Sequence, residues 1–197
     1  MSALQYALLA KKSYQVPPTI GDPDSASRAL VEGNTVIFRG SDDAAAWFHD
    51  LDAVTTKTPL GEMHEGFWLA FMDIQPQLMA LAPEVVCGHS LGAALALIYA
   101  GALCQAGKPP KAVYAFEPPR PSVDSVLTDA LSGVDLLLFR NGQDIVPDFP
   151  RSEFLIWSDG WRFPGALIKI GTPSYPFPNF KDHLIENVIA SLSTMEL

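Results

Sequence analysis

Only two cysteines, Cys87 and Cys104, occur in the 197 residues. That is too few for the disulfide framework of a small secreted scaffold, and both are expected as buried free thiols. Charge is also sparse, at 18% against 48% apolar residues, a balance that excludes a disordered chain. Basic residues are scattered with no run longer than Lys11-Lys12, and the formal net charge is −9. No basic face is available to meet nucleic-acid phosphates, and electrostatic docking on anionic membranes is disfavoured. No apolar stretch reaches the length of a membrane span, so no stable membrane insertion is expected. In the opening segment MSALQYALLAKKSY the basic pair follows the apolar stretch, the reverse of a secretory signal, and a cytoplasmic location is the expectation. No H-x-x-x-H pattern or Cys/His cluster occurs, so no metal or cofactor is expected, and His64 and His89 read as structural hydrogen-bonding residues.

The length suits one domain with a single substantial core, spanning residues 1–197. No repeat, low-complexity segment or linker divides the chain. Short apolar runs alternate with helical stretches, which predicts βαβ units and a mostly parallel sheet flanked by helices, an α/β fold. The expected elements are a helix over Ala3 to Ser13, a strand Thr35 to Phe38, a short helix Ala44 to Leu51, a helix from Gly66 to about Leu81, a strand Val85 to Cys87, and a helix Leu91 to Gln105. Then come strands Ala112 to Phe116 and Leu136 to Phe139, a candidate strand Phe154 to Trp157, and a last helix Leu184 to Leu192. The Pro-, Gly- and aromatic-rich tract from Pro147 to Pro178 reads as irregular surface or a substrate-binding wall.

One pentapeptide carries chemistry: Gly88-His89-Ser90-Leu91-Gly92. A G-x-S-x-G match alone arises by chance in about one chain in fifteen of this length. Here it follows a buried strand and opens a helix, the context of a nucleophile elbow. The serine must stand at a tight strand-to-helix turn, where neighbours two residues away approach too closely for a Cβ. The helix N-terminus adds partial positive charge beside a developing oxyanion. In an α/β-hydrolase the order is Ser, then Asp or Glu, then His. His183 is the only histidine after Ser90, since His49, His64 and His89 precede or adjoin it. The acid has several candidates: Asp124, Asp129, Asp135, Asp144, Asp148 and Asp159. Asp144, after the strand Leu136 to Phe139 and the turn Asn141-Gly142, is best placed, with Asp148 next. The oxyanion donors would be the N–H groups of Leu91 and Ser41. For Ser41 an ordinary helix-capping turn is an equal reading of the residues alone.

These residues resemble the class 3 lipases, the family of the fungal triacylglycerol lipases. Val36-Ile37-Phe38-Arg39-Gly40-Ser41 matches the oxyanion strand, and Ala46-Trp47-Phe48-His49-Asp50-Leu51 matches the segment that serves as a lid in the fungal enzymes. Met63-His64-Glu65-Gly66-Phe67 matches an H-x-G-F block, Val86 to Ala94 the elbow, and Asn141-Gly142-Gln143-Asp144-Ile145-Val146-Pro147 the acid loop N-x-x-D-x-V-P. Asp182-His183 matches the closing histidine. The resemblance implies Ser90, Asp144 and His183 as catalytic triad, and Ser41 and Leu91 as oxyanion hole. One departure is Glu117-Pro118-Pro119-Arg120-Pro121, which stands where the family has a G-x-P-R-V-G turn; Arg120 reads as structural there.

The expected reaction is hydrolysis of a carboxylic ester of a lipid or other acyl substrate through an acyl-enzyme, with phospholipase A1, feruloyl-type esterase and an inactive binding protein as alternatives. Trp47, Phe48 and His89 are candidate substrate contacts. Phe67, Trp68, Phe149 and Trp157 are further apolar candidates for which core packing is the ordinary role. The weakly apolar face of Ala44 to Leu51 favours a small or fixed cover and shorter acyl chains. Contact with a lipid interface is compatible with the sequence, and the oligomeric state is not set by it.

Overall fold

The computed structural model describes residues 1–42, 53–150 and 160–195. Its elements in chain order are α1 (Ala3–Lys12), β1 (Ile20–Gly21), β2 (Arg28–Glu32), β3 (Thr35–Phe38), β4 (Thr55–Thr58), β5 (Gly61–His64), α2 (Glu65–Met79), β6 (Val85–His89), α3 (Leu91–Gln105), β7 (Ala112–Phe116), α4 (Val126–Ala130), β8 (Asp135–Asn141), β9 (Leu167–Ile170) and α5 (Ile185–Ser193). A 3-10 turn, Val146–Asp148, follows β8.

Seven strands form one sheet in the order β1-β2-β3-β6-β7-β8-β9, and β4 and β5 form a separate hairpin. The pairs β3–β6, β6–β7, β7–β8 and β8–β9 are parallel, while β1–β2 and β2–β3 are antiparallel. Parallel strands joined by helical crossovers are covered on both faces, so their side chains alternate between two apolar clusters. Val36, Phe38, Val86, Val113 and Leu138 enter one cluster with Phe67, Phe71, Leu95 and Tyr99. Ile37, Cys87, Phe116 and Phe139 enter the other with Ala7, Ala10, Val188 and Leu192. The first cluster is closed by α2 and α3, the second by α1 and α5.

Helix α3 explains the central position of its turn. Its sequence is LGAALALIYAGALCQ, and it is apolar on every side, as a helix buried all round must be. Small residues let it lie close to the sheet, and Tyr99 ends its burial by donating its hydroxyl to the carbonyl of Leu78 at 2.8 Å. At the start of α2, His64 accepts the N–H of Phe67 at 3.3 Å, the structural hydrogen bond expected of it.

The parallel core matches the elements read from sequence to within two residues at most ends. Three groups were not foreseen, the short helix α4 (Val126–Ala130) among them. The antiparallel strand β1 and the hairpin β4–β5 lack a continuous apolar run, and β2 carries only Ala29-Leu30-Val31 between charged ends; Thr55 to Thr58 is a half-buried pattern of Thr and Lys. The tract from Pro147 to Pro178 is not irregular throughout, because Leu167–Ile170 extends the sheet as β9, pairing Phe139 with Ile168. The expected helix Ala44 to Leu51 and strand Phe154 to Trp157 lie outside the described residues.

Leu95 is fully buried between α3 and the sheet. Leu95→Ala is expected to lower unfolding free energy by about 2–5 kcal/mol, read as a lower denaturant midpoint with an unchanged slope.

Candidate active site

Ser90 stands between the last residue of β6 and the first of α3, with φ 60 and ψ −130. A non-glycine residue adopts this conformation only when its surroundings impose it. The imposition is visible at the flanking glycines. A Cβ on Gly88 would collide with the carbonyl of Gly92, and one on Gly92 with the carbonyl of Phe38. The turn is further pinned by the Ser90 N–H, which donates to the carbonyl of Phe116 at 2.9 Å. Serine at a helix N-cap ordinarily accepts a hydrogen bond from the first turn. The Ser90 side chain makes no such bond, and its buried Oγ has no hydrogen-bond partner among the described residues.

Asp144 and His183 meet at the same end of the sheet. His183 Nδ1 lies 2.8 Å from Asp144 Oδ2, and both side chains are buried. A carboxylate can only accept, so Nδ1 carries the hydrogen and Nε2 is left as the basic nitrogen. Asp144 Oδ1 accepts the N–H of Val146 at 3.0 Å. Burial opposes the negative charge of Asp144, but the nearby His183, the adjacent Glu117 carboxyl and hydrogen bonds from His183 and Val146 outweigh it and hold this carboxyl below its ordinary range. The runner-up acid, Asp148, is instead paired with Arg140, each oxygen 3.0 Å from a guanidinium nitrogen. Of the other candidates, Asp124 caps the hairpin by accepting the N–H of Glu62 at 2.6 Å, and Asp159 lies outside the described residues.

A second imidazole supports the first. His89 Nε2 lies 2.8 Å from the carbonyl oxygen of His183, and His89 Nδ1 lies 2.8 Å from the Tyr14 hydroxyl. The carbonyl must accept, so Nε2 holds the hydrogen and Nδ1 accepts from Tyr14. The Tyr14 oxygen in turn accepts the N–H of Gly40 at 3.1 Å. This chain joins the loop before Ser41, the end of α1, the elbow and the backbone of His183. Burial pushes His89 down to about 3, so it remains a neutral bridge. Tyr14 gave no local sequence signal; its partners are 26 and 75 residues away. Asp182 was likewise read only as the neighbour of a histidine. It accepts the N–H groups of Gln143 at 2.9 Å and Ser174 at 3.1 Å, which fixes the acid loop against the loop before α5. Arg120 is structural as expected, donating to the carbonyls of Asp148, Pro150 and Trp161.

Among the described residues, cavities border this group on two sides. One, of 460 Å³, is lined by Tyr14, Ser41, His89, Phe180, His183 and Leu184 among others. The second, of 330 Å³, is lined by Arg28, Ser41, Asp42 and Leu91 among others. Ser41 thus borders both, and Leu91, at the N-terminus of α3, borders the second. The first N–H groups of a helix have no intrahelical acceptor, which suits Leu91 to an oxyanion. His89 lines the first cavity while both ring nitrogens serve the internal chain. Phe67 is fully buried in the core and, with Trp68 and Phe149, does not line either cavity. Trp47, Phe48 and Trp157 lie outside the described residues.

A histidine buried neutral must gain a proton on acid unfolding. The His89 pKa is lowered in the fold from 6.5 to about 3, so the unfolded chain binds more protons between those limits and stability is lost as pH falls below about 6.5. At about 1.4 kcal/mol per pKa unit the loss amounts to a few kcal/mol. His89→Gln, which cannot titrate, is expected to flatten this part of the curve of melting temperature against pH.

The chain matches the family model for lipase (class 3) over residues 35–154. Its fold is shared with solved fungal lipases. The lipase from Rhizopus microsporus var. chinensis is 20% identical, with a TM-score of 0.66 over 96% of this chain and 82% of that one. The mono- and diacylglycerol lipase from Aspergillus oryzae is 20% identical, with a TM-score of 0.63 over 92% and 82%. Lipase II from Rhizopus niveus is 22% identical, with a TM-score of 0.58 over 77% and 70%. A search of curated protein sequences gives no significant match. The strand–serine–helix turn, the buried Asp–His pair and the family match over 35–154 converge: the chain belongs to the class 3 lipase family and is a carboxylic-ester hydrolase.

Proposed function

We propose that the chain hydrolyses carboxylic esters of lipids by acyl transfer through Ser90, with His183 as base and Asp144 as its acid partner. The observation that carries this reading is the 2.8 Å contact of His183 Nδ1 with Asp144, which leaves Nε2 basic at the end of the sheet where the strained Ser90 stands. His183 takes the Ser90 proton as Oγ attacks the ester carbonyl. Asp144 holds the imidazole in one tautomer and stabilises its charged form. The N–H groups of Ser41 and Leu91 receive the oxyanion, each contributing roughly 2.7–4 kcal/mol to the barrier reduction by the usual measure of such donors. His183 then protonates the leaving alcohol, and water, deprotonated by the same imidazole, releases the acid from Ser90. The reaction as written draws only on these side chains and N–H groups.

The 460 Å³ cavity beside His183 is in the size range of small-ligand sites. It supports substrates with short to medium acyl chains.

The test is hydrolysis of a p-nitrophenyl ester series from acetate to palmitate, with fluorophosphonate labelling in parallel. Wild type is expected to turn over with an optimum among the shorter esters and to be labelled on Ser90. Ser90→Ala and His183→Ala should each lose about 10⁴-fold or more in kcat. A Ser90→Ala enzyme that still turns over overturns the assignment of the nucleophile.

A further inference from the structure

Beside Asp144 and His183 lies a second buried acid that the mechanism above does not use. Glu117 follows β7 and has no solvent exposure. Its φ is 54, the left-handed region that favours glycine, at the position where the family turn carries glycine. A glutamate kept in that conformation needs a reason in its side chain. The backbone N–H of Glu117 donates to the carbonyl of Phe139 at 2.9 Å. Its Oε1 accepts the N–H of Asn141 at 2.5 Å. Its Oε2 is buried and meets no donor among the described residues. Asp144 and His183 are close by: one donor or acceptor atom from each of the three residues lies within 4.8 Å of the other two.

An ionised Glu117 would set two carboxylates against each other with no donor between them. One proton resolves the conflict. Asp144 already accepts from His183 and Val146, whereas Oε2 of Glu117 has no other use. Burial and the charge of Asp144 both push the Glu117 carboxyl well above its ordinary range. The other charged groups near the pair are committed elsewhere. Arg140 pairs with Asp148 and donates to the Asp144 carbonyl at 2.8 Å, Asp182 is saturated by Gln143, Ser174 and Asn179, and His89 is a neutral bridge. These three groups could hold a cation through Nδ1 only if it gave up the hydrogen it donates to Asp144.

We propose that Glu117 is a positioning residue for the acid of the triad: it stays a neutral carboxylic acid and donates its Oε2–H to the Asp144 carboxylate. The inference rests on the reading of Asp144 and His183 given above. The donated bond fixes the rotamer of Asp144 and spreads its charge over both oxygens, which limits how strongly it attracts a protonated His183.

The variants separate donor, charge and strain. Glu117→Gln keeps an acceptor for Asn141 and an N–H donor for Asp144. Glu117→Gly removes the donor while suiting the backbone φ. In wild type at neutral pH, infrared difference spectroscopy is expected to show the carbonyl stretch of a protonated carboxylic acid, absent in Glu117→Gln and retained in Ser90→Ala. Glu117→Gln should keep kcat/KM within about threefold of wild type. Glu117→Gly should lose about 10–100-fold in kcat, the usual cost of removing a residue that orients a site group, with KM little changed and the acid limb of the pH profile moved upward. The raised Glu117 pKa contributes stability that is present below the ordinary carboxylate range near 4.5 and lost as pH rises. The melting temperature of Glu117→Gln should therefore climb relative to wild type on going from about pH 5 to about pH 8. No protonated-carboxyl band, or a Glu117→Gln enzyme as impaired as Glu117→Gly, overturns the proposal. If instead Ser90→Ala or His183→Ala stays active, the triad reading falls while the infrared result still reports the proton on Glu117.

Discussion

The close approach of three backbones at Ser90 is the constraint on which the rest of the structure depends. Strand β3 supplies Phe38, β6 supplies Gly88, and α3 supplies Gly92, and a single methyl group at either glycine would push them apart. With the approach in place the serine is driven to φ 60, its hydroxyl leaves the capping position, and the N-terminus of α3 points to the same end of the sheet as the loops after β3, β7 and β8. The Ser90 hydroxyl, the first N–H of α3 and the buried Asp144 thus gather without any long segment being folded specially for them.

Two histidines of the site show how partners, not residue type, decide a role. Both are nearly excluded from water. His183 has a carboxylate on Nδ1 and keeps a basic Nε2. His89 has a hydroxyl on Nδ1 and a carbonyl on Nε2, so neither nitrogen is available to take a proton without breaking a bond. The acids divide in the same manner: Asp144 is surrounded by donors, Glu117 by one donor and a negative charge. His89 and Glu117 are held by bonds to their own neighbours, while His183 and Asp144 are bound to each other.

What could be read from the amino-acid order follows from the range of each interaction. The central parallel strands β3, β6, β7 and β8 and helix α3 were legible because burial writes an apolar run into the chain. The elbow was legible because its sterics act over five residues. His183 followed from chain order, and Asp144 from its place after β8. Strands β1, β2, β4, β5 and β9 were not legible, since they are short and only partly buried. Tyr14 and Asp182 act through partners far along the chain. Glu117 was visible only as a departure from a glycine, and its meaning depends on a side-chain contact that no local pattern encodes.

The chain of hydrogen bonds through Tyr14 and His89 binds the chemistry to the thinner side of the molecule. Tyr14 lies just beyond α1, and α1 and α5 rest on each other over the smaller apolar cluster. Cooperative units of a protein open at different free energies, and the smaller cluster is the one with less apolar area to lose. Undocking of these two short helices would shift the His183 carbonyl and the Gly40 loop while α2, α3 and the sheet stay assembled. Heat would then loosen the Tyr14–His89 chain before the sheet itself comes apart.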